Sequence, residues 1–250
     1  MLLSIITAVK NSRNTITDCI DSISLQTYND IEHIIIDGGS TDGTLEVIQS
    51  AVVGKNVKLI SEPDKGIYDA INKGISLASG EIIGLLHADD VYFDENVLAK
   101  VVEAFQTSGT DSVYGDLIYV DKNDLNKIFR NWKAGYFTVE SLKKGWMPPH
   151  PAFFVKKKIY ERYGLFDINL KIAADYDLIL RFLGKANIST YYLPQTLVKM
   201  RWGGKSNKNL ANIFHKSSED YLSLKKNGFA FPFLTLIRKN MSKVPQLFTK

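Results

Sequence analysis

Ile34-Ile35-Ile36-Asp37-Gly38-Gly39-Ser40-Thr41-Asp42-Gly43-Thr44 passes from an unbroken β-branched run into a carboxylate, then into a turn of Gly, Ser, Thr and Asp. A short apolar run without alternation predicts a strand covered on both faces. The acid that closes it, and the Gly-rich turn after it, predict the junction of a βα unit where backbone approaches a ligand closely. The spacing is neither G-x-G-x-x-G nor a turn ending in G-K-[ST], which argues against a dinucleotide fingerprint and a P-loop. Asp37 can accept the imide N–H of uracil or thymine, or the N1–H and amino group of guanine. Ser40, Thr41 and Asp42 suit the turn and the cap of the next helix.

The pattern continues in both directions. Leu2 to Val9 is a β-rich apolar run, and Ile16, Cys19, Ile20 and Ile23 form an i, i+3, i+4, i+7 stripe, which predicts a strand and a helix. Downstream lie a helix from Thr44 to Val53, a strand at Val57 to Ile60, a helix from Ile67 to Ala78 and a strand at Glu81 to Leu86. Strands alternating with helices imply a mostly parallel sheet covered on both faces. After a helix from Asn96 to Gln106 the alternation stops. Ser112 to Val120 and Lys127 to Trp132 flank the polar turn Asp121-Lys122-Asn123-Asp124, which predicts an antiparallel hairpin. A proline-stiffened loop, Gly145 to Pro151, leads to a strand, a short helix, a helix over Ala173 to Gly184 and a strand at Ile188 to Leu193.

Leu85-Leu86-His87-Ala88-Asp89-Asp90 ends an apolar strand with two adjacent carboxylates. In open α/β sheets, ligands bind beyond the carboxyl ends of the strands. Paired acids there can hold a divalent cation against phosphate oxygens, or can simply cap the following helix.

The chain has 250 residues, 45% of them hydrophobic, enough for a full core in one domain or in one domain with a small appendage. Thirty-one Lys and Arg against 27 Asp and Glu give a net charge of +4, too mild to argue for nucleic acid. The single Cys19 rules out an internal disulfide and fits a reducing compartment. Met1 to Val9 lacks a basic leader and reads as a strand, and no stretch is long enough to span a membrane.

Asp37-Gly38-Gly39-Ser40-Thr41-Asp42-Gly43-Thr44 resembles the D-G-x-S-x-D-G-T signature of family-2 glycosyltransferases. Further blocks follow in that family's order. Glu62-Pro63-Asp64-Lys65-Gly66-Ile67-Tyr68-Asp69-Ala70-Ile71-Asn72-Lys73-Gly74 is similar to its next block, and Leu86-His87-Ala88-Asp89-Asp90 resembles its D-x-D region. Ile172-Ala173-Ala174-Asp175-Tyr176-Asp177-Leu178 resembles its later E-D motif. The resemblance covers Leu2 to Ser206. It departs at His87, where many relatives carry the first Asp of D-x-D, and at Ala174, where they carry Glu.

The resemblance implies a GT-A-type α/β fold with a Rossmann-like, nucleotide-binding, mostly parallel sheet and a small antiparallel part on the acceptor side. It implies a catalytic domain over 1–206, with a nucleotide-sugar half (1–110) and an acceptor half (111–206), and a helical tail over 207–250. The implied reaction moves a sugar from a nucleoside diphosphate, with a UDP sugar expected, to a hydroxyl of a glycan or polyprenyl-linked acceptor. The setting is bacterial surface polysaccharide such as O-antigen, made in the cytoplasm. Such a transfer needs a cation on the departing diphosphate, a nucleoside pocket and a base for the acceptor hydroxyl. Asp89 and Asp90 are the candidate ligands of Mg²⁺ or Mn²⁺. Asp37 and Asp64, with the backbone around Thr7 and with Asp89, are candidates for the nucleotide sugar, and Asp175 for the base. A single base suits inverting displacement, since double displacement needs a second, nucleophilic carboxylate.

Asp177 fits pairing with Arg181 at i+4. His150 and Trp146 are candidates for the acceptor pocket, with loop packing and a core aromatic as their alternatives. Arg201-Trp202-Gly203-Gly204-Lys205-Ser206 suggests a turn that closes over the donor, or an ordinary loop. Phe229 to Ile237, apolar and bracketed by Lys225-Lys226 and Arg238-Lys239, suits either the membrane interface or packing against the domain or a second subunit. The rival functions are a catalytically silent nucleotide-sugar-binding or scaffold protein, suggested by His87 and Ala174, and a sugar-1-phosphate nucleotidyltransferase. The latter needs a Gly-rich basic phosphate loop, and Ala8-Val9-Lys10-Asn11-Ser12 contains no Gly.

Overall fold

The computed structural model describes residues 1–203 and 210–241. Its first half is βα alternation: β1 (Leu3–Val9), α1 (Ile16–Ser24), β2 (Ile31–Asp37), α2 (Thr44–Ala51), β3 (Val57–Ser61), α3 (Ile67–Leu77) and β4 (Ile82–Leu85). These strands are parallel in the order β3-β2-β1-β4, with Leu3 to Val9 paired residue by residue to Ile31 to Asp37. Alternating side chains of the buried strands serve two cores. Leu3, Ile5 and Ile35 pack with Ile16, Cys19, Ile20 and Ile23 of α1, whereas Ile6, Ile34 and Ile36 pack with Ala70, Ile71 and Ile75 of α3. Both faces being covered explains why no polar alternation marks these strands.

The second half follows as β5 (Val91–Tyr92), α4 (Val97–Ser108), β6 (Ser112–Val120), β7 (Ile128–Trp132), α5 (Val139–Lys143), a 3-10 turn (His150–Ala152), β8 (Phe153–Lys156), α6 (Lys157–Tyr163), α7 (Ala174–Ile179) and β9 (Thr190–Arg201). The sheet continues β4-β8-β6-β9-β5. Here β8 runs antiparallel to β4 and β6, β6 is parallel to β9, and β7 forms the expected hairpin with β6. The fold is thus mixed α/β with a mostly parallel sheet.

Two elements differ from their sequence expectations. Pro194 sets the predicted strand's end at Leu193, yet β9 runs on to Arg201. Its pairing shifts between Tyr114↔Tyr192 and Asp116↔Thr196, so Pro194 falls in the irregularity where no ladder N–H is required. The helix predicted over Ala173 to Gly184 is α-helical only to Ile179 and then widens into a π-type turn, Leu180–Lys185. Ala186 N–H accordingly bonds Arg181 O.

Two further helices, α8 (Leu210–Lys226) and α9 (Pro232–Met241), fold back on the domain. Leu224 is buried in the α3–α7 core, with Phe229 and Leu236 against it. No helix among the described residues is long and apolar enough to cross a membrane.

Gly84 marks the tightest crossing of the two halves. A Cβ there would lie 2.6 Å from the Phe154 ring of β8 and 2.9 Å from Ile5 of β1. Gly84→Ala is expected to cost about 1–3 kcal/mol by overpacking, read as a lower urea midpoint. An unchanged midpoint would show that this crossing has slack.

Candidate active site

Asp37 sits at the carboxyl end of β2, fully buried. Its carboxylate accepts the Ser40 N–H (3.2 and 3.3 Å), the Ser40 hydroxyl and the Ser61 hydroxyl (2.7 Å). These donors fold the Gly-rich turn back on the strand that precedes it. Asp42 accepts the N–H of Thr44 at 3.0 Å, satisfying the first donor of α2 from just outside its N-cap, Gly43. Asp64 meets the same turn from the loop after β3: a Cβ on Gly38 would fall 1.9 Å from its Oδ2, and its Oδ1 accepts the Gly66 N–H at 2.9 Å. Only a glycine at position 38 leaves room for that carboxylate. Thr7 lies on β1 with its hydroxyl turned inward, 3.0 Å from His33 Nε2 and 3.8 Å from Cys19 Sγ.

Asp89 and Asp90 follow β4 and have different surroundings. Asp89 is half-buried, whereas Asp90 is 1% exposed. Asp90 Oδ1 accepts the Arg201 N–H at 3.2 Å, and its Oδ2 has no hydrogen-bond partner among the described residues. Burial first, and the adjacent Asp89 charge second, push the Asp90 carboxyl well above the usual range against the pull of Arg201. Arg201, 6% exposed, is wholly committed beneath this turn. Nη1 donates to Asp89 O (2.7 Å), Nε to Lys122 O (3.0 Å) and Nη2 to Asp18. Arg201 is therefore not a free cation of the turn expected to close over the donor: its charge pairs with Asp18 while its other donors hold Asp89 O and Lys122 O. Gly204, Lys205 and Ser206 of that expected turn lie outside the described residues.

Among the described residues no three His, Cys, Asp or Glu side chains are grouped to hold a metal ion. The chemistry here is that of a pair. Mg²⁺ and Mn²⁺ are commonly bound by one or two carboxylates with substrate phosphates completing the shell. A half-exposed Asp89 in front of an unpartnered Asp90 oxygen fits that mode, and a closed protein cage does not.

Asp175 lies in the first turn of α7. His150 Nδ1 is 3.3 Å from its Oδ2, and the Tyr68 hydroxyl is 3.4 Å from its Oδ1 while donating to Ile172 O at 2.8 Å. His150 Nε2 in turn lies 2.8 Å from His87 Nε2. Burial above all holds both imidazoles below their ordinary pKa, His150 down to about 4. Each is neutral near pH 7 and has one N–H and one lone pair. With its proton on Nδ1 toward Asp175, His150 has a bare Nε2 to accept from His87. Burial acts to raise the Asp175 carboxyl, but His150, Lys216 and Lys239 outweigh it and hold the group below its ordinary value. His87, which the sequence marks only as a departure from D-x-D, thus links the Asp89 turn to Asp175 through His150.

A second residue escaped the sequence reading. Ala173 and Ala174 offer no cap for α7, and Glu219 of α8 supplies one from 46 residues away, accepting N–H groups of Lys171 (2.7 Å), Ile172 (2.8 Å) and Ala173 (2.9 Å). The only signal was the missing cap itself. Asp177 lies 3.5 Å from Arg181, the expected i+4 pair. Trp146 is partly buried, its Nε1 donating to Ala134 O (2.7 Å) and its ring against Tyr114 and Phe137.

A family model described as glycosyl transferase family 2 matches residues 4–164. A PGL/p-HBAD biosynthesis glycosyltransferase of Mycobacterium bovis is 31% identical over 219 residues, covering 86% of this chain and 83% of the relative. Among solved structures, S. aureus TarS 1-349 in complex with UDP-GlcNAc superposes with a TM-score of 0.70 at 16% identity, over 99% of this chain and 78% of that one. This chain spans 39% of the longer TarS chain. The mannosyltransferase PcManGT from Pyrobaculum calidifontis, in complex with GDP-Man and Mn²⁺, gives a TM-score of 0.68 at 16% identity, over 98% and 72%. These likenesses place the fold among GT-A glycosyltransferases.

Proposed function

The chain belongs to glycosyl transferase family 2, and on that premise we propose that it moves a sugar from a nucleoside diphosphate, a UDP sugar first among candidates, to a hydroxyl of a glycan or lipid-linked acceptor with inversion. The contact chain His87–His150–Asp175 carries the reading, because it sets a carboxylate able to act as base beside the turn that bears the paired acids.

Asp37 and Asp64, meeting across Gly38, hold the base and ribose end of the donor. Asp89, with Asp90 behind it, would hold Mg²⁺ or Mn²⁺ at the diphosphate. When bound, the cation neutralises charge that develops on the departing diphosphate. Asp175 accepts the acceptor hydroxyl's proton at Oδ1 or Oδ2 as that oxygen attacks the anomeric carbon. His150 and Tyr68 fix the carboxylate's orientation, and Glu219 fixes the helix that carries it. One carboxylate in this role suits a single displacement. The solved neighbours, in complex with UDP-GlcNAc and with GDP-Man, support a nucleotide-sugar donor, and the reducing compartment expected from Cys19 suits such a setting.

Thermal unfolding with UDP, GDP or dTDP, each with Mn²⁺ or chelator, tests the donor site. A ligand at 100 times its Kd adds about 2.7 kcal/mol, which raises the midpoint by several degrees at this chain length. The expected result is a shift with one nucleotide that requires the metal and disappears in Asp89→Ala. No shift with any nucleotide would overturn the transferase reading in favour of a silent scaffold.

A further inference from the structure

The helix α9 lies on the domain with its polar side inward. Thr235 and Lys239 are buried, Thr235 donating to Lys143 O at 3.0 Å and Lys239 pairing with Asp220 at 2.8 Å, while Leu236 packs on the core. Phe233, Leu234, Ile237 and Met241 fall on the opposite arc and are exposed, Phe233 at 68% and Met241 at 66%, with Phe231 at 71% just before the helix. A soluble domain ordinarily buries such an arc and exposes the polar one. We propose that this face of α9 is a docking surface for an anionic lipid bilayer.

Charge decides between a bilayer and a second copy of the chain. From Tyr221 to Met241 the sequence has no Asp or Glu; Lys225 and Arg238 are exposed there, while Lys226 is paired to Asp167 and Lys239 is turned inward to Asp220. Arg238 is exposed at the edge of the apolar arc, and Lys143 of α5 and Lys144 just after it are exposed where α5 meets α9. The acid among them, Glu140, is paired to Lys143 at 3.0 Å. Two such basic rims repel each other across a two-fold interface, whereas anionic headgroups match them. The inner faces of α8 and α9 carry Glu219 and Lys239, which flank Asp175. On the transferase reading, docking here sets the base close to a lipid-linked acceptor.

Co-sedimentation with vesicles of phosphatidylcholine alone, or with 30% phosphatidylglycerol by ~3:7 mixing, tests the surface without any donor. The full chain is expected to pellet with the anionic vesicles at least tenfold more than with the neutral ones. Phe233→Ser combined with Ile237→Ser should abolish that binding while leaving the unfolding midpoint and the nucleotide shift unchanged, because both side chains are exposed. No enrichment on anionic vesicles overturns the proposal, as does concentration-dependent dimerisation that the same double variant removes. Vesicle binding without nucleotide affinity would sink the transferase reading and leave this surface standing; nucleotide affinity without vesicle binding would do the reverse.

Discussion

Asp175→Asn is expected to lower turnover by roughly 10²–10⁴, the usual share of general base catalysis, while leaving the nucleotide-dependent unfolding shift intact. The substitution keeps the volume and the contacts to Tyr68 and His150 but removes the negative charge that makes the group basic enough to take the acceptor's proton. The pH profile supplies an independent check. Asp175 is held below its ordinary pKa, so the wild-type rate should fall only as pH drops through that depressed value, and it should be flat near neutrality. His150→Ala removes one of the groups that hold the carboxyl down and should move the acid limb upward. His150 itself titrates near 4, which keeps it neutral through the working range and assigns it to orienting the carboxylate. Turnover of the Asn variant within twofold of wild type would remove Asp175 from the chemistry.

How far the sequence carried depended on where the information lay. The first four strands and their helices were legible because local periodicity and the buried run Ile34-Ile35-Ile36 encode them directly. Asp37 and Asp89 were legible as candidates because each follows a buried strand, where a carboxylate is costly without a purpose, whereas Asp175, at a helix start where acids are common, stood out only by its likeness to the family's E-D motif. What escaped was non-local. Glu219 caps α7 from a different helix, Arg201 reaches Asp18 across 183 positions, and the His87–His150 pair joins two loops 63 residues apart. None of these contacts leaves a periodic trace. The place of Arg201 was hidden for the same reason: only the path of β9 past Pro194 brings it into the sheet.

Lys239→Met should destabilise the protein by about 3–5 kcal/mol, the usual result of leaving one member of a buried ion pair without its partner. Lys239 and Asp220 are 2% and 3% exposed at 2.8 Å, and the ammonium lies over the Tyr176 ring at 3.1 Å, one residue from Asp175. Removing the cation strands the Asp220 charge in the interior. The unfolding midpoint should drop by roughly 6–20 °C at this size, and Asp220→Asn in the same chain should restore part of it, since the two sites are directly coupled. The pH dependence has a definite sign. Burial lowers the folded-state pKa of Lys239 to about 8 from an ordinary 10.5, with Asp220 opposing. Between those values the unfolded chain binds the proton that the folded chain has released, so the Lys239 contribution makes stability rise with pH across that window. In Lys239→Met that rise should vanish. A loss under 1 kcal/mol with the rise unchanged would show that α9 is held by Leu236 and Thr235 alone, and that the ion pair beside the base is incidental to the fold.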